Sequence, residues 1–295
     1  MPETKPGGTS YDRRQLRRLA YSAAVIVVIV LIGLWWTNVY QSPSNVFWGM
    51  INNSLATTGA TMHVQNSESG TKLNEYVQFE LGAKNYIHST VKLNEDGTEV
   101  NTETIGTPST DFTRYTTIST KSATSYNSVV GVWAKSTPLA KGQVPDPIDH
   151  LFGQTVLGVV PYADLPASTR QSLVAQAQVT KVYTIDPASV TRTSSAYTYT
   201  VKIAPKAYAA FLQQVTKDEG LGSSSEFNPN DYQANSQPLT VQLSVSPVSR
   251  QLLAVNYGSG HSETINGYGI QPNILVPSHT ITTVELQNRL EAIHG

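Results

Sequence analysis

The chain contains no cysteine in 295 residues. That excludes disulfides, thiolate nucleophiles, iron–sulfur clusters, cysteine-held zinc and an N-terminal lipobox, whose lipid needs a Cys. Charge is scarce as well: Asp, Glu, Lys and Arg make up 14% of the chain, against about a quarter in ordinary soluble domains. Neither sign dominates, since 20 Lys and Arg face 21 Asp and Glu for a net charge of −1. This balance argues against a basic nucleic-acid binder and against an acidic disordered chain. Catalytic signatures are missing too: G-x-S-x-G, G-x-G-x-x-G and the P-loop pattern do not occur. His63, His88, His150, His261, His279 and His294 form neither H-x-H nor H-E-x-x-H. The expectation is a non-enzyme with no cofactor and no metal site.

What the chain does have is one long apolar run. No charge occurs between Leu19 and Trp36; at the helical rise this stretch spans roughly 27 Å, close to a bilayer hydrocarbon core. Tyr21 lies at one end and Trp35, Trp36 and Tyr40 at the other, as in an interfacial aromatic belt. Lys5, Arg13, Arg14, Arg17 and Arg18 precede the run, and the next basic residue is Lys72. That asymmetry places the N-terminus in the cytoplasm. The expected organisation is a cytoplasmic tail 1–18, a transmembrane signal-anchor helix 19–39, a tether 40–45 and an extracytoplasmic domain 46–295. A cleaved signal peptide competes, and Arg13-Arg14-Gln15-Leu16 loosely resembles a twin-arginine signal. However, the flank Trp-Trp-Thr-Asn-Val-Tyr-Gln-Ser offers no small-x-small cleavage site. The membrane is thus the expected partner. Beyond residue 40 the chain holds 15 Lys and Arg against 19 Asp and Glu, a sign with no electrostatic reason to seek nucleic acid or anionic headgroups.

Past the tether, Phe47, Met50, Ile51 and Leu55 have helical spacing, and this helix should end by Gly59. Strands follow. In 73–81, Leu73, Val77, Phe79 and Leu81 share one face, with Asn74, Gln78 and Glu80 on the other. The segment 85–93 repeats the pattern with Ile87, Val91 and Leu93. Asp96-Gly97 suits a type I′ hairpin turn, because both positions need positive φ. Thr-rich strands are expected over 98–105 and 111–119, and a short strand over 129–134. Strict alternation means one wet face, hence an antiparallel sheet.

Helices are expected across 147–178, the second of them capped by Asp164, and over 205–219, where Tyr208, Phe211, Leu212 and Val215 share a face. The strands 180–185 and 197–204 lie between them. A polar loop, 222–237, precedes strands Leu239–Val245 and 252–257. Thr282-Thr-Val-Glu285 is a capping box for a final helix facing inward through Leu286, Leu290 and Ile293. This order predicts an α+β fold: a curved antiparallel sheet of nine to eleven strands with helices on one face.

Several local patterns have plain readings. Asp146, Asp149 and His150 cluster at a helix start and read as caps. Ser89-Thr90-Val91-Lys92 matches S-x-x-K, but on a strand the Ser and Lys point to opposite faces. The order of meander strands, Val132-Trp133, Asp146-Pro147 and an apolar helix pair, then a strand pair and the helix at Pro205-Lys-Ala-Tyr, is more specific. It ends with a long hairpin and Tyr268-Gly269-Ile270-Gln271-Pro272 through Val276-Pro277. Over roughly 47–280 it resembles the LolA-like fold of LppX/LprG-type bacterial envelope lipoproteins. The resemblance implies a half-barrel with helices on the concave face around an apolar cavity, and a lipid or other apolar ligand inside. The family's lipid-bearing Cys is absent here, with the transmembrane anchor in its place. On this reading Tyr197, Tyr199, Tyr208 and Phe211, with Leu151 and Phe152, line the cavity. The alternative is that these side chains are ordinary core and the domain is a structural, assembly or adhesion module of the envelope. Protein partners are not indicated.

Overall fold

The computed structural model describes residues 25–33, 35, 36, 40–68, 70–122, 124–136, 146–222, 224, 226–233 and 235–294. The expected tail 1–18 and residues 19–24, 34 and 37–39 of the expected anchor lie outside these. Residues 25–33 are helical and exposed, with Val25 to Ile32 each more than half accessible to solvent. Among the described residues, no helix is long and apolar enough to cross a membrane.

Residues 40–45, expected as a tether, are bound to the domain. Pro43 sits in the first turn of helix α1 (Pro43–Ser54), where its fixed φ and missing N–H suit a helix start. The hydroxyls of Tyr197 and Tyr199 donate to the carbonyls of Gln41 and Pro43, at 2.8 and 2.9 Å. Arg192 donates to the Gln41 side chain at 2.8 Å.

A five-strand meander follows: β1 (Gly59–Glu68), β2 (Thr71–Glu80), β3 (Tyr86–Glu95), β4 (Thr98–Thr107) and β5 (Thr110–Ser119). The β3–β4 hairpin turns at Asp96 and Gly97 with φ of 49° and 81°, as Asp-Gly in a type I′ turn requires. The short strand expected over 129–134 is reduced to β6 (Ala134–Lys135). Val129 instead lies buried in a turn, and Val130 makes one parallel bridge to Tyr115. Helices α2 (Leu151–Val156) and α3 (Ala167–Val179) come next. Asp164 does not cap α3. The N-cap is Pro166, without a side-chain hydrogen bond, and Asp164 pairs with Ala56 as a β-bridge.

The second half contains β7 (Tyr183–Ile185), β8 (Thr191–Arg192), β9 (Tyr197–Ile203), α4 (Pro205–Asp218), β10 (Leu239–Val245), β11 (Leu252–Gly258), β12 (His261–Asn266), β13 (Ile281–Thr282) and α5 (Thr283–His294). Thr282 caps α5, its hydroxyl accepting from the Glu285 amide at 3.1 Å. Leu286 is buried, and Leu290 and Ile293 pack with it against Tyr126, Val129 and Ala134.

Among the described residues, thirteen strands join one curved, unclosed sheet in the order β13-β6-β5-β4-β3-β2-β1-β12-β11-β10-β9-β7, with β8 pairing β9. The ladders are antiparallel except for the two-residue β6–β13 pair, which is parallel. The class is α+β, as expected, with more strands than the nine to eleven read from the sequence. The inner face carries Val77, Phe79, Ile87, Val241, Leu243 and Val245, all at most 2% exposed. Helix α1 fills much of this concavity with Val46, Phe47, Met50 and Ile51, which have no exposed surface. A separate small cluster of Ile105, Phe112 and Ile274 forms away from this core.

Candidate functional site

Residues directly opposite one another in neighbouring strands point to the same face. The register places Glu75 of β2 and Glu263 of β12 on either side of Val64 of β1. The row continues through Val255, Leu243 and Tyr199 in β11, β10 and β9. Two carboxylates therefore stand in an otherwise apolar inner row.

A cavity of about 240 Å3 lies over them. Its sheet wall is Met62, Val64, Val77, Leu252 and Val255, and its cover is Leu151, Val159 and Val160. Glu75, Glu263, His261, Gln154 and Thr155 supply the polar lining. Glu75 accepts from the Ser89 hydroxyl at 2.5 Å, and Glu263 from the Tyr257 hydroxyl at 2.9 Å. Burial pushes the Glu263 carboxyl above its ordinary value; the Tyr257 hydrogen bond and His261 pull it down, and Glu75 adds to the rise. The His261 ring lies 4.5 Å from that of Tyr257.

The cover is pinned from below. The Tyr183 hydroxyl donates to Val159 O at 2.9 Å, and Tyr208 donates to Gly158 O. Both phenols are held protonated, first by burial. On the other side, the Leu151 amide at the start of α2 points to the Asp111 carboxylate of β5, at 3.2 and 3.3 Å. His150 Nδ1 lies 3.4 Å from the same carboxylate, close enough for an ion pair though not with hydrogen-bond geometry. Burial raises the Asp111 pKa, and the Leu151 amide and His150 oppose that rise. Asp146 caps the short turn before α2 through the Ile148 amide at 3.2 Å. The helix itself takes its acidic partner from a strand 40 residues away.

Of the six residues expected to line a cavity, Leu151 does so here. Tyr208 acts one layer behind, through Gly158. Phe152, Tyr197, Tyr199 and Phe211 are buried in the main core. There Phe47 of α1 sits 5.4 Å from Tyr199 and 5.9 Å from Tyr183, which in turn meets Phe211 edge-on at 6.2 Å. Glu75, His261 and Glu263 were not singled out from the sequence. The available signal was Glu75, a carboxylate on the Leu73, Val77 and Phe79 face of β2. Ser89 and Lys92 do diverge, Ser89 bonding Glu75 inside and Lys92 pairing with Glu99 at 3.0 Å.

No family model matches the chain, and no curated protein matches it. Among solved structures, LprF from Mycobacterium bovis aligns over 81% of this chain and 97% of its own, at 13% identity and a TM-score of 0.39. That likeness is too loose for an inference to rest on it.

Proposed function

We propose that the chain is a single-pass membrane protein, N-terminus cytoplasmic, whose extracytoplasmic domain binds a small amphipathic ligand within its half-barrel. The cavity carries this reading: it is walled by Val64, Val77, Leu151 and Val255, with Glu75 and Glu263 at its sheet side. At about 240 Å3 it falls below the roughly 300–1,000 Å3 of drug-sized sites. A short apolar body with a donor-bearing end suits it better than a whole lipid. The anchor is supported by the charge-free 19–36 stretch and by Val25 to Ile32, each more than half exposed. Such a stripe is costly in water and favourable in hydrocarbon.

Val64→Phe tests the site. It should fill the cavity, abolish binding of a fluorescent short-chain alkylamine and leave the melting midpoint nearly unchanged. No binding of that amine, or of a matched fatty acid, by wild type would overturn the ligand reading. Protease applied to intact cells should degrade 46–295 and spare 1–18. The reverse pattern would overturn the orientation.

A second reading, a structural, assembly or adhesion module of the envelope, is favoured by one observation: α1 buries Val46, Phe47, Met50 and Ile51 completely in the core. Wild type with no ligand, and Val64→Phe more stable than wild type, is the outcome that selects it.

A further inference from the structure

A second pocket, of about 470 Å3, lies where the exposed apolar helix meets the domain. Trp35, Tyr40 and Trp48 form its aromatic rim, Val174 and Ala175 of α3 one side, and Asn45, Asn52, Gln171 and Gln178 its amides. Arg250 is the single charged residue among those lining it.

That arginine is held in place. It lies in the turn between β10 and β11 at φ 52°, and the Asn53 side chain fixes the turn by donating to the carbonyls of Ser249 and Arg250, at 3.0 and 3.2 Å. Gly49 of α1 leaves room for its stem; a Cβ there would lie 2.4 Å from Arg250 Cδ. The guanidinium stacks 4.0 Å from the Tyr40 ring centroid and donates to Tyr40 O at 3.0 Å. Its Nε is buried with no hydrogen-bond partner.

We propose that this pocket seats the headgroup of an anionic phospholipid from the leaflet on the domain's side, with the phosphodiester on Arg250. The inference rests on the membrane reading above. Three observations choose this occupant. The pocket's rim includes Trp35, two residues beyond the exposed apolar 25–33 helix along which acyl chains would run. Its rim carries the Trp and Tyr of an interfacial belt. Its one charged lining residue is the cation Arg250, so the complementary guest at this point is an anion, held locally against the net negative charge of the domain as a whole. The amides of Asn52, Gln171 and Gln178 match a hydroxylated headgroup.

The test uses the full chain in nonionic detergent with equimolar phosphatidylcholine and phosphatidylglycerol, the lipids retained being counted by native mass spectrometry. Wild type should keep phosphatidylglycerol about fivefold over phosphatidylcholine, the order of effect one basic residue has near a membrane surface. Arg250→Gln should erase that preference. Gln171→Glu, on the exposed side of α3, should erase it too without touching the core. Equal retention by wild type, or a preference that survives in both variants, overturns the headgroup site. Vesicle flotation separates the two layers of the argument. Protein that floats without a lipid preference loses the headgroup site alone, and protein that floats with neither vesicle type loses the membrane reading and the site together.

Discussion

The sheet has two unlike wings. Strands β9, β10 and β11 are 7 residues long, and the inner positions of β10, Val241, Leu243 and Val245, are at most 2% exposed beneath the helices. Strands β2 to β5 are 10 residues long and run out past their cover. There the inner row Leu73, Leu93, Val100 and Ile118 is only half-buried. Both wings alternate apolar and polar residues. What separates them is the cover: α1, α3 and α4 pack over the first, and the 6-residue α2 over only the near end of the second. Hydrophobic stabilisation follows area removed from water, so similar strands are worth different amounts in the two places.

The sharpest way to break this comparison is truncation. Leu243→Ala, at an inner position of the covered wing with no exposed surface, should cost about 2–5 kcal/mol, while Leu93→Ala in the open wing should cost under about 1 kcal/mol. Urea unfolding of both variants measures the gap, and equal losses would erase the distinction. Enlargement comes next. Phe211 is 3% exposed against Tyr183, so Phe211→Trp should cost about 1–3 kcal/mol through forced repacking. A neutral melting midpoint would show slack beneath α4.

The smallest effect is electrostatic. Glu219, just after α4, accepts from the Asp164 amide at 3.2 Å. Burial pushes its pKa up to about 6, with the Asp164 charge adding and the amide bond opposing. A carboxyl with a raised folded pKa keeps its proton longer when folded than when unfolded. Its contribution is therefore fully present below about 4.5 and is lost as pH rises through about 6. Glu219→Gln should remove that slope and gain at most about 1 kcal/mol at pH 8, since the group is half-exposed and screened. An unchanged pH profile of the melting midpoint would show the carboxyl to be in contact with water.

The covered wing and the hairpins were legible in the sequence because apolar alternation, Asp96-Gly97 and the Thr282 cap are local signals. Strand Leu239–Val245 is found at its expected boundaries, and 197–204 ends one residue early. Strands β1 and β12 were not read from the sequence. In β12 the inner positions are His261, Glu263 and Ile265, so two of three are polar and no alternation shows. Those same two residues line the cavity. The polar groups that give the site its chemistry thus removed the pattern by which a strand is recognised. The aromatic face of β9 was legible, but its occupant was not: Phe47 reaches Tyr199 from 152 residues away in sequence, and no local spacing encodes that pairing. Asp111 at the start of α2 is hidden for the same reason.

The β1–β12 seam has a consequence for how the chain comes into being. Thr61 pairs with Asn266 and Gln65 with Ser262, so about 200 residues must be synthesised before that ladder can zip. The β1–β5 meander needs only neighbours and can form early. Until β12 arrives, β1 presents an unpaired edge, the kind of surface on which chains pair wrongly with one another. The polar Gln65, Asn66 and Ser67 toward the end of β1 make that waiting edge a poorer template for such pairing than an apolar strand would be.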